Sequence, residues 1–90
     1  METMRFRIEY SPESLEDILS LPKQIQSLVR KAITERLEKD PLSYGKPLKY
    51  SLKGLRSLRV SKYRILYEVI EFEQTVWIVK VAIRKDVYED

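Results

Sequence analysis

The chain has 90 residues, 43% of them hydrophobic, with 2 glycines and a formal net charge of +3, which fits one compact domain over residues 1–90 and leaves no room for a second. Cys and His are both absent, which excludes disulfides, thiol chemistry, Ser-His and Cys-His nucleophilic pairs and the commonest metal ligand, so no metal site and no cofactor is expected. No apolar run approaches the length of a signal-peptide core or a membrane span, and a cytoplasmic protein without membrane contact is expected.

The opening "MRFRIEY" alternates Phe6, Ile8 and Tyr10 with Arg5, Arg7 and Glu9, the period-two pattern of a half-buried strand. Ser11 then reads as a helix N-cap, with Pro12 at the first helical position and Glu13, Glu16 and Asp17 at the positive end of the helix dipole. In this short helix, "SPESLEDILSL", Leu15, Ile18 and Leu19 form the apolar face. Pro22 restarts the chain, and Ile25, Leu28, Val29, Ala32, Ile33 and Leu37 recur at spacings of three and four through Lys39, a second helix that ends before Pro41. The two helices form a hairpin whose apolar stripes must cover a sheet built from the rest of the chain.

Residues 41–54, "PLSYGKPLKYSLKG", carry Pro41, Gly45, Pro47 and Gly54 and read as an ordered loop with one edge segment. Three strands follow, at residues 55–61, 63–70 and 75–83, with "EFEQ" at 71–74 as the turn of an antiparallel hairpin. The predicted class is α+β, a helical hairpin on one face of a small twisted, largely antiparallel four-stranded sheet in the order β-α-α-β-β-β. Strict alternation puts Leu58, Val60, Tyr63, Ile65, Tyr67, Val69, Trp77, Val79, Val81 and Ile83 toward the helices. Ser57, Arg59, Arg64, Glu68, Lys80 and Arg84 then face the other way, on a side the helices leave uncovered.

Charge is unevenly spread. Residues 1–41 hold seven Lys/Arg against eight Asp/Glu, whereas residues 42–90 hold ten against six. From Lys46 to Arg64 there are seven cations and no acid. Like charges side by side on a sheet repel, so "SLRVSKYRILYEV" asks for an anionic ligand. A solvated outer face whose arginines pair with Glu68 and other acids is the alternative, but arginine outnumbers lysine there, and the planar guanidinium suits fork-like phosphate contact. Loop lysines such as Lys46 and Lys49 read as loop charges that add nonspecific, salt-sensitive affinity.

"LRSLRVSKYRILYEV" followed by "VAIRKDVY", behind "SLPKQIQSLVRKAITERLEKDP", resembles the RelE/ParE toxin superfamily, and within it the RelE-like mRNA interferases. The likeness covers nearly the whole chain. It implies the toxin of a type II toxin–antitoxin system, a metal-independent endoribonuclease that binds mRNA in the ribosomal A site beside 16S rRNA. Cleavage would proceed by attack of a ribose 2′-hydroxyl on the adjacent phosphate, so the missing His and Cys are no obstacle. The partner implied is a RelB-like antitoxin in a hetero-oligomeric complex.

By the same resemblance Arg84 matches a general acid, or the cation beside the leaving oxygen, and Arg64 matches a phosphate-stabilising arginine. Arg59 stands where the family carries a lysine of the same duty. Tyr88 matches a C-terminal tyrosine that stacks on or orients the nucleotide, or acts as base. These four are the expected catalytic set, with Lys53, Arg56, Ser57, Lys62, Lys80 and Lys85 expected around the bound RNA. Ser57 is a departure, because a second family lysine and candidate base stands at that position; serine has no useful pKa, which leaves Tyr88 or Lys53 to substitute. A ParE-like toxin that inhibits DNA gyrase and cleaves nothing is the competing implication.

Overall fold

The computed structural model describes residues 5–83, so Arg84, Lys85 and Tyr88 lie outside the described residues. The chain runs through β1 (Arg7–Tyr10), α1 (Pro12–Leu19), α2 (Lys23–Ala32), β2 (Lys46–Pro47), β3 (Arg56–Val60), β4 (Tyr63–Ile70) and β5 (Thr75–Ile83). The strands form one sheet in the order β1-β5-β4-β3-β2, with β1 parallel to β5 and every other pair antiparallel. The α+β class and the helical hairpin are as predicted. The sheet has five strands rather than four because two residues of the long loop, Lys46 and Pro47, pair with Ser57 and Arg56; Pro47 is tolerated because this strand is an edge.

The first helix starts as the sequence predicts. Ser11 Oγ accepts from Ser14 N at 3.0 Å and donates to Val79 O at 2.8 Å, so one hydroxyl caps the helix and also ties it to β5. That second bond has a topological cause. β1 ends at Tyr10, opposite Ile78, which would leave the remainder of the same β5 edge bare. Here α1 takes over: Ser11 N donates to Ile78 O at 2.9 Å, and Asp17 Oδ2 accepts from Val81 N at 3.0 Å. A polar helix face thus replaces a strand at an edge whose backbone groups need partners.

This docking corrects the apolar face expected for α1. Ser14 and Ile18 are buried, whereas Leu15 and Leu19 stay 48% and 72% exposed, because the helix turns its Ser11, Ser14 and Asp17 side to the sheet. Leu28 of α2 is exposed as well. After Ala32 the helix widens into a π turn over Ile33–Leu37, with Glu38 N donating to Ile33 O, which brings both Ile33 and Leu37 into the core. The main core joins Ile18, Val29, Ala32, Ile33 and Leu37 to Leu58, Val60, Ile65, Tyr67, Val76, Ile78 and Val81 of the sheet.

Trp77 and Val79 are not in that set, against the alternation read from the sequence. Leu66 pairs with Lys80 but Tyr67 pairs with Ile78, so Val79 is the extra residue of a β-bulge and the facing pattern inverts across it. Val76 and Ile78 face the helices below the bulge and Val81 above it. Val79 instead packs in a second apolar cluster with Leu48, Leu52, Leu55, Leu66 and Ala82. Half-buried Trp77 sits between Glu9 and Glu68. The side away from the helices is therefore partly roofed by loop residues 48–55, not left open as expected.

Candidate active site

The cationic face is organised by the β3–β4 hairpin. A two-residue turn at Ser61 and Lys62, with Ser61 at φ +57°, closes the hairpin and fixes its register, so that Arg59 lies directly opposite Arg64 and Ser57 opposite Leu66. Residues opposed in an antiparallel pair share a face, which puts both arginines on the side away from the helices. They differ in setting: Arg59 is exposed, whereas Arg64 is 8% exposed and donates from Nη1 to Ser57 Oγ at 3.3 Å. Ser57, itself 2% exposed, therefore holds one face of a buried guanidinium.

A cavity of about 300 Å³ opens here, lined by Gly45, Lys46, Ser57, Leu58, Arg59 and Arg64. No acid lines it. Among the described residues Arg59 makes no ion pair, and neither does Glu68, which sits opposite Trp77. Arg59 also borders a second cavity of about 360 Å³ on the helix side, with Lys31, Glu35 and Arg36. An anion in the first cavity would meet one desolvated guanidinium and one exposed one, with little competing negative charge. Among the described residues there is no group of three or more carboxylates placed to hold a metal ion.

One wall of the cavity is a loop held by two strand residues. Buried Tyr67 places Oη 2.8 Å from Pro41 O and 2.7 Å from Tyr44 O, so its proton is shared between two carbonyls. Arg56 Nη2 donates to Leu42 O at 2.9 Å, to Gly45 O at 3.3 Å and to Tyr44 O at 3.5 Å. Burial pushes the Tyr67 phenol above its ordinary pKa, and the Arg56 guanidinium beside it opposes that rise. Gly45 has φ +74°, and a Cβ there would collide with Tyr67 Oη and stand 3.0 Å from Ser57 O. Only glycine fits.

Of the expected site residues, the structure brings Ser57, Arg59 and Arg64 to one cavity. Arg56 is turned to the loop carbonyls. Lys53 is exposed on the loop, Lys62 is exposed in the hairpin turn 6.0 Å from the Tyr63 ring, and Lys80 bonds Glu13 of α1 at 2.9 Å. None of these four is among the residues lining the cavity. Lys46, read from the sequence as a loop charge, is. Its signal lay in "YGKP": a glycine compelled by close packing and a proline suited to a sheet edge bracket a residue that must sit beside β3.

Comparison with known proteins bears on the same arrangement. Residues 8–88 match the family model described as the ParE toxin of type II toxin–antitoxin systems, parDE. Toxin RelG of Mycobacterium tuberculosis is 33% identical over 85 residues, covering 94% of this chain and 98% of that protein. Toxin RelE of the same organism is 28% identical over 83 residues, covering 92% and 86%. In structure, the RelBE2 toxin–antitoxin complex of M. tuberculosis superposes with a TM-score of 0.84 at 31% identity, over 89% of this chain and 99% of that one. The isolated RelE toxin of Escherichia coli shares the fold at a TM-score of 0.73 and 19% identity, over 87% and 83%. With the helical hairpin on its mixed sheet and a match along nearly its full length, the chain belongs to the RelE/ParE superfamily of type II toxin–antitoxin toxins.

Proposed function

We propose that this toxin is a ribosome-dependent mRNA endoribonuclease of the RelE type, working in the cytoplasm on message in the ribosomal A site beside 16S rRNA. The observation that carries the reading is the pair Arg59 and Arg64, directly opposed across β3 and β4 and lining one cavity. In the reaction the ribose 2′-oxygen bonds to phosphorus as the bond to the 5′-oxygen breaks, and negative charge builds on the non-bridging oxygens. Arg64, desolvated and oriented by Ser57, and Arg59 from the facing strand supply fixed positive charge where it builds. Arg84 and Tyr88, the remaining expected catalytic residues, would serve the leaving oxygen and the nucleotide. No metal enters the chemical step. A RelB-like antitoxin would neutralise the toxin in a hetero-oligomeric complex; the similar M. tuberculosis RelBE2 and E. coli RelBE structures are toxin–antitoxin complexes.

A gyrase-inhibiting reading is favoured by the ParE family match and by Ser57 in place of a lysine. Primer extension on mRNA with and without translating ribosomes separates the two. The expected result is ribosome-dependent cleavage leaving a 2′,3′-cyclic phosphate or 3′-phosphate upstream and a 5′-hydroxyl downstream. A 5′-phosphate on the downstream fragment would overturn the mechanism. Absence of cleavage at saturating toxin, with growth arrest that tracks loss of DNA supercoiling, would hand the function to the gyrase reading.

A further inference from the structure

We infer that Lys46 is a third phosphate-contacting catalytic residue, delivered to the cavity from β2 across the strand pair; this rests on the endoribonuclease reading. Lys46 is the direct antiparallel partner of Ser57, so the two side chains leave the sheet on one face with Cβ atoms about 5 Å apart. It lines the cavity together with Ser57, Arg59 and Arg64. Position 57 is already committed, since its hydroxyl is buried against Arg64. A lysine placed opposite it reaches the same space from the other strand.

The loop shows that this placement is held. The residues just before Lys46 are anchored through their carbonyls by Tyr67 and Arg56, and Gly45 lies against the Tyr67 ring in a conformation that only glycine takes without strain. A solvated loop lysine needs no such anchoring. The chemistry asked of Lys46 is modest: its ammonium hydrogen-bonds a non-bridging phosphate oxygen as charge grows there, while the proton leaving the 2′-hydroxyl and the one gained by the 5′-oxygen pass through other groups. Two guanidinium forks and one compact, flexible point charge then surround the phosphorus.

The test is single-turnover cleavage of ribosome-bound mRNA at saturating toxin by wild type, Lys46→Ala, Lys46→Arg and Lys23→Ala. Lys46→Ala should lower the rate about 30-fold or more with an unchanged urea midpoint, since Lys46 is exposed. Lys23→Ala, at an exposed position of α2, should stay within about threefold of wild type. Lys46→Arg, which keeps a cation on the cavity, should retain about tenfold more activity than Lys46→Ala. A Lys46→Ala rate within about threefold of wild type overturns the assignment, as does a loss confined to ribosome affinity with the saturated rate unchanged. A wild type that cleaves nothing overturns the endoribonuclease reading itself, a different and recognisable result.

Discussion

Arg59 and Arg64 face each other across β3 and β4, and two like charges so placed cost the folded state stability, on the order of 0.5 kcal/mol. A surface under selection for stability alone would set an acid at one of the two positions. Function and stability should therefore separate on substitution. Arg59→Ala, at the exposed member, should leave the urea midpoint unchanged or raise it, while lowering single-turnover cleavage roughly 100-fold, about 3 kcal/mol of transition-state stabilisation. A destabilised Arg59→Ala with full activity would mean that the pair is structural. Arg64 was legible from the sequence as a cation on the side away from the helices, but its burial was not: nothing in "SKYRILYEV" announces that it is nearly covered with Nη1 against the Ser57 hydroxyl. Ser57, read as the gap in a catalytic set, accepts a hydrogen bond from Arg64 on the facing strand.

The elements themselves were legible because their signals are local: the Ser-Pro helix start, the three-and-four spacing of α2 and the alternation in β3 and β4. What escaped was set between elements. Trp77 and Val79 lie in "TVWIVKVAI", a run too uniformly apolar to reveal that Val79 bulges, and only pairing with β4 decides it. The side of α1 that faces in was equally hidden, since it is chosen by the bare edge of β5 rather than by leucine spacing. Ser11 and Asp17 each satisfy a β5 backbone group there. Asp17→Ala should cost about 1–3 kcal/mol by leaving the Val81 N–H without its acceptor, and Ser11→Ala about 1–2 kcal/mol by removing cap and tether together. Both residues hold one helix to one edge, so the double variant should lose less than the summed singles in urea unfolding. Strict additivity would mean that α1 docks through its apolar contacts and that these bonds are incidental.

Core, loop and cavity meet in Tyr67: its ring packs among the core residues, and its hydroxyl holds two carbonyls of the loop that leads to Lys46. This coupling has a pH signature. Burial raises the pKa of Tyr67 above its ordinary value against the opposing Arg56 charge; burial likewise raises Tyr10, with Arg30 opposing and Glu38 adding. The folded state thus keeps both protons to higher pH than the unfolded chain, whose tyrosines titrate at about pH 10. Below that value the two states hold these protons equally and the contribution is complete; above it the unfolded chain binds fewer protons, and stability falls as pH rises toward the folded-state values. Tyr67→Phe should lower stability at pH 8 by about 1–3 kcal/mol, since two loop carbonyls lose their donor, and should also make the decline above pH 10 shallower than in wild type. It should slow cleavage at pH 8 as well, because the loop that positions Lys46 loses its anchor while every cavity-lining side chain remains. Urea melts from pH 7 to 11 and single-turnover rates at pH 8 measure both effects. An unchanged alkaline slope would place the titration elsewhere, and a rate equal to wild type would show that the cavity does not depend on the Tyr67 anchor.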